Sequence, residues 1–319
     1  MERTQPLPLE DEIESLHRER TRYECAAQLA RNTQVGYGYD WAMFTAFCVG
    51  LSRSPLPAST ETVQLYLTFL LREGKKVSTA KRRTCAIAHY HRAAGFVSPV
   101  TREVYQLLDG AQRLRAEKPR QMRPLAVAEL RDISRRLATI RTDAGIRNRA
   151  LLVVGFASAL RRSNLAALTL SDVTFCDQGV LLSVSREKQD QRGRGRLIAL
   201  PAGQDRNTDP VRLLRLWLDR RGVQPGPLFW RVDHKHRGEQ MDGECVIRIV
   251  KKSVALIGLE PAHYGAHSLR AGFITAAGEA NVGHLLIAAH SGHRSLGSLK
   301  RYFRPWDLFR SNAAAQIGL

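Results

Sequence analysis

The chain has 319 residues, 44% of them hydrophobic, with 49 Lys and Arg against 30 Asp and Glu, a formal net charge of +19. That length suits two domains, each with its own core, and the excess of cations calls for a polyanionic partner, nucleic acid before an anionic membrane surface. No apolar run approaches the ~20 residues of a membrane span, the first residues lack the basic-then-apolar order of a signal peptide, and five scattered cysteines (Cys25, Cys48, Cys85, Cys176, Cys245) without a C-x-x-C pair indicate neither a zinc site nor a disulfide framework, hence a reducing, intracellular setting.

Residues 1–32 read as a loose leader in which acidic Glu10, Asp11, Glu12 and Glu14 precede basic His17, Arg18, Arg20 and Arg22. Residues 33–117 read as four helices. The first, near 33–50, sets Tyr37, Trp41, Phe44 and Cys48 at helical spacing. The second starts at a Ser59 or Thr60 cap, aligns Val63, Tyr66, Leu67, Leu70 and Leu71, and stops at Gly74. The third, from Ser78 to Gly95, is basic through Lys81, Arg82, Arg83 and Arg92. The fourth runs from Thr101 to about Glu117, with Val104, Leu107, Leu108, Ala111 and Leu114 on its apolar side. Residues 118–125, broken by Pro119 and Pro124, read as an interdomain linker.

Residues 126–319 form the second expected domain. Helices are expected near 126–139 and 145–158, and the second should be buried, because Ala150–Ala157 is apolar all round. Directly after it comes Ala159-Leu160-Arg161-Arg162-Ser163-Asn164-Leu165, an abrupt charge at the end of a buried helix. Val180–Val184 and Leu197–Leu200 read as short strands around a basic, Gly-containing hairpin whose one lysine is Lys188. A helix follows Thr208-Asp209-Pro210, with Val211, Leu214, Trp217 and Leu218 facing the core. Another runs from about Gly243 to Gly258 and carries Arg248, Lys251 and Lys252. His263 reads as structural or as a DNA contact.

The densest chemistry lies near the C-terminal end. His267 and Arg270 are three apart and share a helix face. His293 and Tyr302 are nine apart with Gly297 between them, which predicts two short helical pieces joined by a turn. An arginine grips phosphate oxygens bidentately, a histidine shuttles protons near neutral pH, and a tyrosine can be a covalent nucleophile. Any one of these residues alone would more often be structural.

The ordered set resembles the C-terminal signature of the tyrosine recombinases, or phage-type integrases: H-x-x-R, then G-H, then a tyrosine nine residues on. The Arg161 stretch resembles the family's first box, G-L-R-x-S-E-L, with Ala159 for the usual glycine and Asn164 for the usual acidic residue. The resemblance covers about 33–310. It implies a mainly α fold with a small β-hairpin or sheet in the catalytic domain, arranged as a two-domain C-shaped clamp with a helical core-binding domain. Arg161 and Arg270 would hold the scissile phosphate, His267 would help deprotonate Tyr302, Tyr302 would attack to give a 3′-phosphotyrosine link, Lys188 would protonate the departing 5′ oxygen, and His293 would bond the phosphate. Neither metal, ATP nor other cofactor would be needed. The implied partners are duplex DNA with inverted-repeat half-sites and further copies of the chain, a dimer per site and a tetramer in synapsis. The implied setting is cytoplasmic and nucleoid-associated, bacterial or on a mobile element, with a Cre- or Xer-like two-domain plan. Type IB topoisomerases, telomere resolvases and a weakened DNA-binding protein of the same fold are the rival functions, and Tyr264 is the next nucleophile to test.

Overall fold

The structure, a computed structural model, describes residues 13–17, 19, 31–117, 121–184, 195–293 and 295–299. The chain divides into two compact units, Met1–Pro119 and Arg120–Leu319.

In the first unit the described residues from 31 onward build four helices, α1 (Arg31–Gly50), α2 (Thr60–Arg72), α3 (Val77–Ala93) and α4 (Arg102–Arg115). Ser59 caps α2 by accepting from the Thr62 N–H at 3.1 Å, satisfying a donor the helix cannot. The core joins Phe44 and Cys48 of α1, Val63, Tyr66, Leu67 and Leu70 of α2, Ala80 and Ile87 of α3, and Val104 and Leu108 of α4. One buried face is not apolar. Asp40 of α1 is fully enclosed, 2.6 Å from Arg82 and 3.6 Å from Arg83, and Arg83 also donates to the Tyr66 hydroxyl. Burial raises the Asp40 carboxyl above its usual range even though both arginines pull it down. His91 fastens the loop before α2: its Nε2 accepts from the Ala58 N–H at 2.9 Å, leaving Nδ1 to donate to the Ile87 carbonyl at 2.8 Å.

The second unit contains α5 (Val127–Ala138), α6 (Asp143–Ala157), α7 (Arg162–Ala167), an antiparallel sheet of β1 (Val173–Cys176), β2 (Gly179–Val184) and β3 (Arg196–Pro201), then α8 (Pro210–Arg221), α9 (Gly243–Ala255), α10 (His267–Glu279), α11 (His284–Ser291) and α12 (Leu296–Leu299). Helix α6 is the hub, enclosed by α5, α8 and α10. Its Leu151, Leu152, Val153 and Val154 are fully buried, each contributing about 1.5–3 kcal/mol before conformational entropy. Asp209 caps α8, and Trp217 within it donates from Nε1 to the Leu228 carbonyl at 2.8 Å. Arg147 at the start of α6 reaches the Trp230 carbonyl at 2.8 Å, and burial lowers its pKa to about 10.

The sheet has a strand that the sequence pattern does not announce: β1 is four residues long, paired antiparallel to β2. Gly297 lies inside α12 instead of in a joining turn; the turn is at Gly292, which ends α11 with φ +69°. Among the described residues no helix is long and apolar enough to cross a membrane.

Candidate active site

The site is built where the C-terminal end of α6, the start of α10 and the end of α11 meet. After α6 the chain turns through Ala159, which has φ +50° and is fully buried. A left-handed conformation costs an L-residue with a Cβ roughly 1–2 kcal/mol, so the departure from glycine here falls where glycine would relieve strain. The turn directs the Ala159 carbonyl at Arg270, whose Nη1 donates to it at 2.6 Å. Two residues on, half-buried Arg161 stands at the N-cap of α7.

Helix α11 closes with the paired bonds of a Schellman turn, His293 N–H to the Ala288 carbonyl and Gly292 N–H to the Ala289 carbonyl. Glycine at 292 makes this possible. Arginines also reach the end carbonyls. Arg196, the first residue of β3, donates to Ala289 at 3.2 Å and to His290, and Arg270 donates to Ser291 at 2.5 Å. His290 stacks on Phe273 at 4.5 Å and donates from Nε2 to the Ala157 carbonyl at 2.8 Å, bolting α11 to the end of α6.

Arg270 is 2% exposed, and its Nη2 lies 3.1 Å from both ring nitrogens of His293. The network assigns the histidine's proton. Ser291 has one hydroxyl hydrogen and places Oγ 2.5 Å from the Ile287 carbonyl. His293 Nδ1, 2.7 Å from that same Oγ, is therefore the donor to it. Nε2 is left to accept from Arg270. A hydrogen bond from Nε2 to a phosphate requires the other tautomer, with the Ser291 bond given up. Burial, then Arg270, Arg161, His267 and Arg196, push the His293 pKa down to about 4, so the ring is neutral near pH 7. His267, the first residue of α10, remains accessible to solvent, and surrounding protein, then Arg270 and Arg161, lower its pKa too.

The structure thus brings together Arg161, His267, Arg270 and His293. Lys188 and Tyr302 lie outside the described residues. Tyr264 is buried, with its hydroxyl donating to Glu129 at 3.2 Å and its pKa raised to about 12 by burial and then by Glu129; a phenol so enclosed and so reluctant to ionise is a poor nucleophile. Asn164 is also buried. Its Oδ1 takes a 3.3 Å bond from Ser163, while its Nδ2 has no hydrogen-bond partner among the described residues. Arg162 pairs with Glu244 of α9 at 2.8 Å. Sequence reasoning missed Arg196, His290 and Ser291; the signals available were a strand-opening arginine after the basic hairpin and the Ser-Gly before His293.

Residues 125–307 match the family described as the phage integrase family. An "Integrase/recombinase xerD homolog" of Selenomonas ruminantium is 34% identical over 296 residues, covering 89% of this chain and 84% of its own. Two solved structures share the fold at low identity. The Tn1549 transposon integrase in complex with transposon right end DNA gives a TM-score of 0.64 at 17% identity, covering 96% of this chain and 99% of its own. A lambda integrase (75–356) dimer bound to a COC′ core site gives 0.58 at 19%, covering 91% and 94%. With more than half its length matched by the family and a relative above 30% identity aligned over most of both chains, this protein belongs to the phage integrase family, the tyrosine recombinases.

Proposed function

We propose that this recombinase cleaves and rejoins duplex DNA through a 3′-phosphotyrosine link, with Arg161, Lys188, His267, Arg270, His293 and Tyr302 as its catalytic residues. Tyr302 Oη attacks the scissile phosphorus, the bond from phosphorus to the 5′ oxygen breaks, and Lys188 supplies the proton that leaves a free 5′-hydroxyl. Arg161 and Arg270 neutralise the charge added in the pentacovalent transition state. The phenol's ordinary pKa is ~10, so it needs their field, and His267 takes its proton. His293 aligns Arg270 and, after moving its proton to Nε2, bonds the phosphate. The new ester conserves the phosphodiester's energy, so rejoining needs neither ATP nor a metal.

The observation that carries this reading is the fixing of Arg270 by two backbone carbonyls and a neutral imidazole, contacts that align the guanidinium and bring no negative charge of their own. The first unit is read as the helical core-binding domain, residues 33–117, joined through 118–125 to a catalytic domain at 126–319. The net charge of +19 supports phosphate-dominated binding that weakens steeply with salt. Two copies would occupy inverted half-sites and four would form the synapse, acting on DNA in a bacterial cytoplasm or on a mobile element.

The test is a duplex target nicked near the cleavage point, which traps the covalent adduct. The parent should form adduct in the presence of a chelator. Tyr302→Phe should bind the duplex and form none; persistent adduct would move the nucleophile elsewhere.

A further inference from the structure

The chain enters the second unit along the helix that carries His267 and Arg270. The Arg123 N–H donates to the His263 carbonyl at 2.9 Å, and the Leu125 N–H donates to the Ser268 carbonyl at 3.0 Å. These two main-chain bonds bracket His267. The Leu125 carbonyl lies so close to Gly272 that a Cβ there would come within 2.1 Å of it, an approach that requires glycine. Side chains fasten the same segment. Arg123 Nη2 is 2.8 Å from Glu129 Oε1, and its guanidinium lies 5.5 Å above the Tyr264 ring. The Tyr264 hydroxyl donates to that same Glu129 oxygen, while Glu129 Oε2 accepts the Ala126 N–H at 2.9 Å.

This is more fastening than a chain entry needs. Leu125 is fully buried and α5 begins at Val127, so hydrophobic burial already seats the segment. Arg123, just before Leu125, adds a polar clasp with Glu129 and Tyr264, and it closes on the three-residue approach to His267. The first unit ends at Pro119, a few residues before the clasp. Among the described residues after Pro119, Arg123 makes the first main-chain bond to the rest of the second unit, its N–H donating to the His263 carbonyl.

We propose that Arg123, Glu129 and Tyr264 are positioning residues for strand cleavage. They clasp the segment joining the two units to the turn that presents His267, so that engagement of duplex DNA is transmitted to the placement of His267. The proposal rests on the reading of His267 as catalytic. A displacement of about 1 Å at a reacting group can cost on the order of 10²-fold in rate, so a loosened clasp should be visible in the chemical step.

The experiment measures single-turnover adduct formation at saturating protein on the nicked duplex, with affinity for the same duplex and melting temperature measured alongside. Arg123→Ala, Glu129→Gln and Tyr264→Phe should each cleave roughly tenfold or more slowly at saturation, with affinity and melting unchanged. Arg123→Lys, which keeps the ion pair and the ring contact, should recover most of the rate. Two outcomes overturn the proposal. If Arg123→Ala loses affinity but keeps the parent's saturating rate, Arg123 is a phosphate contact. If rate falls only in step with melting temperature and Arg123→Lys gives no recovery, the cluster is scaffold. Tyr302→Phe in the same assay isolates the underlying reading: adduct in that variant would sink the nucleophile assignment while leaving the clasp comparison readable.

Discussion

Arg83 in the first unit and Arg270 in the second are both buried, 5% and 2% exposed, but their surroundings differ in kind. Arg83 meets the carboxylate of Asp40 and the hydroxyl of Tyr66. Arg270 meets the carbonyls of Ala159 and Ser291 and the imidazole of His293. A carboxylate fixes a guanidinium and cancels its charge. A carbonyl dipole fixes it and leaves the charge in place. Taking a cation out of water costs several kcal/mol, and the first unit offsets that cost with an opposite charge. In the second unit the contacts described are neutral acceptors, which orient the guanidinium as the proposed phosphate site would need. On the proposed assignment, the difference separates an arginine used for folding from one used for chemistry, although both look alike by burial.

The contrast breaks most sharply where a second-unit cation is predicted to react rather than bind. Lys188→Ala should cleave ordinary DNA 10²–10⁴-fold more slowly, the usual worth of a general acid. It should cleave a 5′-bridging phosphorothioate nearly as well as the parent, because that leaving group needs little protonation. Equal loss on both substrates would make Lys188 a phosphate contact only. The buried arginines come next. Arg270→Lys keeps the charge but loses the planar fork, and should lower saturating cleavage by about 10²–10³-fold, the scale of one lost transition-state donor. Arg83→Met should leave that rate unchanged and instead cost about 1–3 kcal/mol of stability, because Asp40 keeps Arg82 but loses its second cation and the Tyr66 hydroxyl loses its donor, read by denaturant unfolding. If the two variants changed the same observable, the distinction would fail.

A gentler probe is pH. The folded-state pKa of His293 is about 4 against an ordinary 6.5, and those of His267 and His290 are lowered as well. Above pH 6.5 neither the folded nor the unfolded chain protonates His293, so no difference arises. Between 6.5 and 4 the unfolded chain takes up a proton that the folded chain refuses, and stability falls. The melting temperature should therefore drop across that window, and His293→Gln should flatten the drop. The smallest effect is expected at Ala159. Ala159→Gly should raise stability by about 1 kcal/mol, removing left-handed strain at some cost in unfolded-state entropy, with the Arg270 contact kept and cleavage unaltered.

Much of this was legible from residue order. The all-round apolar run in α6 predicted its burial, the spacing of Val63, Tyr66, Leu67 and Leu70 predicted the buried face of α2, and the H-x-x-R pair brought His267 and Arg270 to one helix. Three kinds of feature were not legible. Leu114 has core spacing in α4 but is 90% exposed, because periodicity marks a face without saying where its packing partners end. Asp40 reads as a surface acid and is enclosed, since its compensating arginines lie some forty residues away in sequence. The cradle of Arg270 is made of main-chain oxygens aimed by backbone dihedrals at Ala159 and Gly292, and side-chain patterns carry no record of carbonyl direction.

That cradle also bears on when the protein becomes active during folding. Arg270 draws on Ala159, 111 residues away along the chain, and on Ser291, 21 residues away. Contacts of such long sequence separation close only after the intervening chain has been ordered. Ser291 arrives on α11, an eight-residue helix whose Leu285 and Leu286 are 75% and 68% exposed and whose anchorage to α6 runs through His290. A nascent or partly opened chain with α11 undocked would keep its basic surface and could sit on DNA, but it would lack the aligned guanidinium. If Arg270 holds the scissile phosphate as proposed, the arrangement works as a coincidence detector: three distant stretches of chain must be seated at once before the guanidinium is aligned.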